Sequence, residues 1–116
     1  MKTLERHREE NRAAIAKALD AIQAYARLHH NIRTVIQFGS TAHGRIDALS
    51  DLDLLVVMES DKDYFSRSAD ILAAIAAPAD IDIICYTPQE IMRNRDRPFL
   101  HHILQEGKII YEKPAV

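Results

Sequence analysis

The alternation of apolar and polar positions divides this chain into helix-like and strand-like stretches. From residue 2 to residue 30, Leu4, Ile15, Leu19, Ile22 and Ala26 recur at helical spacing, with alanines and charges between them. That period predicts one long amphipathic helix. Its first turns, Glu5 to Arg12, are almost wholly charged and face solvent or a partner, and His29-His30-Asn31 stops it. Thr34 to Phe38 is a β-branched, apolar run ending at Gly39, the pattern of a buried strand. Leu52 to Met58 reads as a second strand. A helix over 62–77 follows, capped by Asp61 or Ser60, ended by Pro78, with Phe65, Ala69, Leu72, Ile75 and Ala76 as its inner face. Residues 79–86 alternate strictly, so Asp80, Asp82, Ile84 and Tyr86 share one face of a third strand and Ile81 and Ile83 the other. Thr87-Pro88-Gln89-Glu90 is a capping box with proline at the first helical position. A helix over 98–105, stopped by Gly107, and a short strand over 108–111 close the order. Helices alternating with short strands predict an α/β fold, a small mixed β-sheet flanked by helices, with the long N-terminal helix added.

Composition narrows the function. With 116 residues, the chain is read as a single domain over 1–116, long enough for one modest core. A formal charge of −2 gives no general attraction to nucleic acid or to an anionic membrane. The single cysteine, Cys85, sits in an apolar run and reads as a small buried hydrophobe. The N-terminus is charged and no apolar run approaches the roughly 18 residues of a membrane span, which leads to the expectation of a cytoplasmic protein. Arg93, Arg95 and Arg97 form a basic cluster as well suited to solvent as to a phosphate, and His101 and His102 read as structural.

The chemistry concentrates between Thr34 and Met58. Gly39 lets the backbone approach a ligand, Ser40 can cap the short helix that Gly44 ends, and that helix start offers free N–H groups to an anion. After Ser40 come ten intervening residues, then Asp51 and Asp53, which project to one face of a strand about 6.5–7 Å apart. Two carboxylates so placed can converge on a divalent cation such as Mg²⁺, which also holds phosphates. Either piece alone is commonplace. Together, a phosphate-binding turn beside a metal-binding pair points to chemistry on a nucleotide. Asp53, with leucine on both sides, is costly to bury unless paired or bound to metal. The same argument applies to Asp82 within Ile81-Asp82-Ile83-Ile84, whereas Asp80 reads as a solvated acid at the strand mouth.

With F-G-S, ten residues, then D-L-D-L-L-V-V, the chain resembles the minimal nucleotidyltransferases of the polymerase-β-like superfamily, antitoxins of the MntA type among them. The resemblance covers about Thr34 to Tyr111, so residues 34–111 read as the catalytic core and 1–30 as the helix outside it. It implies that Asp51, Asp53 and Asp82 are the catalytic and metal-holding acids for Mg²⁺, in two ions. It further implies that Gly39 and Ser40 hold the triphosphate, with Arg45 as an extra phosphate contact, and that ATP or another nucleoside triphosphate is the substrate. Many minimal members carry Arg or Tyr where this chain has Thr41, and Arg where it has His43. The partner that the resemblance implies is a small helical HEPN-type protein, a toxin silenced by AMP added to a tyrosine. Two alternatives stand beside that reading. One is a nucleotidyltransferase acting on a small molecule such as an antibiotic; the other is a non-catalytic nucleotide-binding module.

Overall fold

In the computed structural model, which describes residues 3–115, a four-stranded sheet is laid against two pairs of helices. Helix α1 spans Leu4–Leu28, and Thr3 caps it by accepting from the Arg6 N–H. Residue 2, where the sequence pattern starts this helix, lies outside the described residues. Strand β1 is Ile32–Phe38, two residues longer at its start than its apolar run, and β2 is Leu52–Met58. Helix α2 is Tyr64–Ile75, β3 is Ile81–Tyr86, α3 is Pro88–Asn94, α4 is Pro98–Glu106 and β4 is Lys108–Glu112. The sheet order is β3-β2-β1-β4. β1 runs antiparallel to β2 and to β4, while β2 and β3 are parallel, so the sheet is mixed.

Strand periodicity gives each sheet face its own core. On one face Ile15, Ile22 and Ala26 of α1 and Ile71 of α2 pack against Val35, Leu54, Val56, Ile83 and Cys85. On the other, Leu100 and Ile103 of α4 cover Ile36 and Leu55, with Phe38, Ile84 and Tyr86 at the margin. Asp53 has the parity of Leu55, and Asp82 that of Ile84. Both acids therefore belong to the α3/α4 face, at the strand ends where the helices leave the sheet uncovered.

Helix α2 departs from its pattern. Its cap is Asp63, not Asp61 or Ser60, accepting from the Ser66 N–H at 2.9 Å. It ends at Ile75 because Ala76 turns into the left-handed region at φ 42°, two residues before Pro78. The buried positions are Arg67 and Ile71, while Phe65 is 79 % exposed and Ala69, Leu72 and Ala76 face water. Arg67 turns inward because every N–H it buries finds an acceptor. Its Nε donates to the Lys62 carbonyl at 2.9 Å, and Nη1 donates to the Cys85 carbonyl at 3.3 Å and to Glu90 Oε1 at 2.6 Å. That carboxylate also closes the expected capping box by accepting from the Thr87 N–H at 2.8 Å.

Burial pushes the Glu90 carboxyl up, but the Thr87 N–H together with the hydrogen bond and charge of Arg67 outweigh it, so Glu90 titrates below its ordinary value. A depressed carboxyl stabilises the fold above its unfolded pKa of 4.5, and that contribution is lost as pH falls through the lowered native value. The expected result is that Glu90→Gln lowers the melting temperature at neutral pH and flattens the loss of stability on acidification. Melting curves from pH 7 to pH 3 for both proteins check it. Equal slopes in the acid limb would contradict it.

Cys85 is fully buried and its thiol is pushed up to about 12, first by desolvation, so it is held as a neutral packing group, as its apolar context suggests.

Candidate active site

The site begins where β1 stops. After Phe38, Gly39 takes φ 74° and ψ −165°, a region open in practice to glycine alone. A Cβ built on Gly39 would stand 2.5 Å from Oδ2 of Asp53, so the position demands glycine for its backbone and for the carboxylate against it. Ser40–His43 then forms one 3-10 turn, closed by Gly44 at φ 78°. Ser40 is the first residue of that turn rather than its cap, and no side chain caps it. The turn is braced from within: Gln37 Nε2 donates to Thr41 Oγ1 at 3.1 Å, and both residues are buried. Thr41 thus spends its hydroxyl on packing the turn. Gly39, Ser40 and Arg45 are exposed, and the Arg45 N–H donates to the Ser40 carbonyl at 3.1 Å.

The acids arrive from the neighbouring strands. Asp53 lies opposite Phe38 in the β1/β2 ladder and opposite Asp82 in the parallel β2/β3 ladder. Neighbouring strands run about 4.8 Å apart, and paired residues project to one face, which sets the two carboxyls side by side. Burial raises the Asp53 pKa first. The negative charges of Asp82 and Asp51, and a hydrogen bond shared with Asp82, raise it further. Two carboxyls set side by side beside a glycine can share a proton or offer their oxygens to one cation.

Asp51 stands one residue before β2, exposed, and reaches Asp53 through its charge alone. Asp82 is more exposed than its apolar neighbours suggest, because it sits at the open end of the face where α3 and α4 do not cover it. Asp80 is exposed, as its place at the strand mouth implies.

Among the described residues no group of three or more His, Cys, Asp or Glu side chains is arranged to hold a metal ion unaided. Mg²⁺ needs no such cage. It retains water and takes one or two carboxylates with the substrate phosphates. The Asp53–Asp82 pair with its cradle fits that demand.

Beside Gly39 a cleft of about 100 Å³ opens between the end of β1 and α4, lined by Phe38, His43, His102 and Glu106 among others. Phe99 of α4 packs edge-on against Phe38, with ring centroids 5.9 Å apart. His102 therefore borders the site, although its sequence surroundings read as structural; only its position one turn before Gly107 on the helix that backs the glycine could have signalled this. Two wider hollows of about 390 and 380 Å³ lie elsewhere, against the chain end near Lys113 and between α1 and β4. Neither contains a residue of the acid pair.

The family model for polymerase beta, nucleotidyltransferase, matches residues 20–115. The chain belongs to the polymerase β nucleotidyltransferase family. As a nucleotidyltransferase it carries the family's sheet, with the glycine turn and the acids brought together at one end. Its fold is similar to that of a chain in the crystal structure of the toxin–antitoxin MntA–HepT, at a TM-score of 0.52. The identity is 16 %, over 83 % of this chain and 71 % of that one. No curated protein matches the chain in sequence.

Proposed function

We propose that this nucleotidyltransferase transfers a nucleoside monophosphate, AMP from ATP, to a tyrosine hydroxyl of a small helical HEPN-type toxin, and so acts as its antitoxin in the cytoplasm. The observation that carries the transfer chemistry is the Asp53–Asp82 pair set against Gly39. Likeness in fold to a chain of the MntA–HepT pair supports the choice of partner. So does a stripe of apolar side chains left in water on α2, with Phe65 79 % exposed, a surface suited to a protein. Among the described residues no helix is long and apolar enough to cross a membrane.

In this reading the acceptor hydroxyl attacks the α-phosphorus of the triphosphate. The new bond joins that phosphorus to the acceptor oxygen, and the bond to the β-phosphate oxygen breaks to release pyrophosphate. Asp82 accepts the hydroxyl proton. Its neighbour Asp53, opposite it in the parallel ladder, sets it beside the turn that receives the triphosphate. The exposed Gly39–Ser40 turn receives the triphosphate, and Arg45 supplies positive charge beside it. Asp51 and Asp53 would hold the nucleotide's Mg²⁺, and Asp53 and Asp82 a second ion. Bound there, Mg²⁺ neutralises charge developing on the phosphates and lowers the pKa of the attacking oxygen.

The test is incubation with ATP labelled in its α-phosphate together with a co-expressed helical partner. Label should appear on a partner tyrosine, and Asp82→Asn should slow its appearance by at least about a hundredfold. Label transferred at the parental rate by Asp82→Asn contradicts the role given to that acid. A partner that stays unlabelled beside an active small-molecule acceptor contradicts the antitoxin.

A further inference from the structure

The turn before Asp51 is held by a residue far from it in sequence. Residues 45–50 run from the 3-10 turn to β2 without helix or strand. The sheet begins only at Leu52, whose N–H donates to the Asp80 carbonyl at 2.9 Å. Asp51 is therefore outside the ladder, and the sheet alone does not aim its side chain. The turn before it is closed on itself, the Ser50 N–H donating to the Asp47 carbonyl at 3.3 Å and the Asp47 N–H to Ser50 Oγ at 2.8 Å. Asn11 of α1 then grips that turn from outside. Its Nδ2 donates to the Asp47 carbonyl at 2.7 Å and to the Ser50 carbonyl at 3.0 Å.

Peptide planarity gives this contact its consequence. The Ser50 carbonyl shares a rigid plane with the Asp51 N–H, and the Leu52 N–H shares one with the Asp51 carbonyl. Asn11 anchors the first plane at its carbonyl, and the Asp80 carbonyl anchors the second at its N–H. With both planes anchored, φ and ψ of Asp51 are restricted, and with them the direction of its Cα–Cβ bond. Asn11 precedes residues 20–115, the part matched by the family model.

We propose that Asn11 is a positioning residue that aims the Asp51 carboxylate at the cation of the nucleotide site. The inference rests on the reading of Asp51 as a ligand of that cation. It gives the first half of the N-terminal helix a part in arranging the site, beside the packing of its second half against the sheet. Because alanine is a better helix former than asparagine, Asn11→Ala leaves α1 intact.

Two readouts test it on the full chain. Amide hydrogen exchange over residues 47–51 reads the clamp itself. Calorimetric titration of ATP, with and without Mg²⁺, reads its effect on the site for the parent, Asn11→Ala, Asp51→Asn and the double variant. Asn11→Ala should exchange faster at 47–51 and lose about tenfold of the Mg²⁺-dependent gain in ATP affinity, the usual scale for a group that orients a ligand. The double variant should be no weaker than Asp51→Asn, since Asn11 acts through Asp51. Unchanged exchange, or losses that multiply in the double variant, overturns the inference. So does full Mg²⁺ dependence in Asn11→Ala where Asp51→Asn has lost it. Full Mg²⁺ dependence in Asp51→Asn removes the site reading on which the inference stands, and the inference with it.

Discussion

Asp53→Asn should cripple nucleotidyl transfer while making the metal-free protein melt at a higher temperature. Two causes, one origin: Asp53 is pressed between the charges of Asp82 and Asp51, beside a glycine and partly out of water. Asparagine keeps the shape and removes the charge, so desolvation of a carboxylate and repulsion between neighbours no longer oppose folding. Under the proposed function, the same change strips the cation of the carboxylate that stands with both other acids. A loss on the order of a thousandfold in rate matches the removal of one preorganised electrostatic group. Function held at the expense of stability is the usual signature of such a site. Thermal melts in chelator, alongside the labelled-transfer assay, check both halves. A variant that melts lower, or that retains transfer, contradicts the role of the pair.

Gly39→Ala should lose activity and stability together. At φ 74° and ψ −165° any side chain is strained by about 1–3 kcal/mol. The added methyl would also stand 2.5 Å from Asp53 Oδ2, well inside contact distance. Asp53 must then swing away from the position it shares with Asp82, or β1 must shift. Either movement opens the cradle, so affinity for the triphosphate falls along with the melting temperature. The opposite stability effects of Asp53→Asn and Gly39→Ala separate a charge effect from a space effect at one contact. Unimpaired triphosphate binding in Gly39→Ala would show that the close approach has no part in the site.

The parts of this architecture that were legible in the sequence are those set by local rules. The glycine turn, the paired acids and the Thr87 capping box each depend on residues a few positions apart, and the structure has the turn and the box where the pattern puts them. The alternation over 79–86 correctly put Asp82 with Ile84 and Tyr86 on one face. What could not be read depends on partners distant in the chain. The apolar stripe Phe65, Ala69, Leu72 and Ala76 looks like an inner face, yet α2 turns Arg67 inward because Glu90, 23 residues on, supplies its counter-charge. The exposure of Asp82 depends on where α3 and α4 end, which strand periodicity does not encode. Asn11 reads as one polar residue in a charged first half of α1. Its hold on Asp47 and Ser50 spans 36 and 39 residues, beyond any periodic signal.

The most direct measurement is calorimetric titration of ATP into the parent and into Asp53→Asn, each with and without Mg²⁺. The account predicts that the parent binds ATP, that Mg²⁺ strengthens the binding, and that Asp53→Asn loses this strengthening. ATP binding that ignores both Mg²⁺ and Asp53, or no ATP binding by the parent, would contradict a metal–nucleotide site at the Asp53–Asp82 pair.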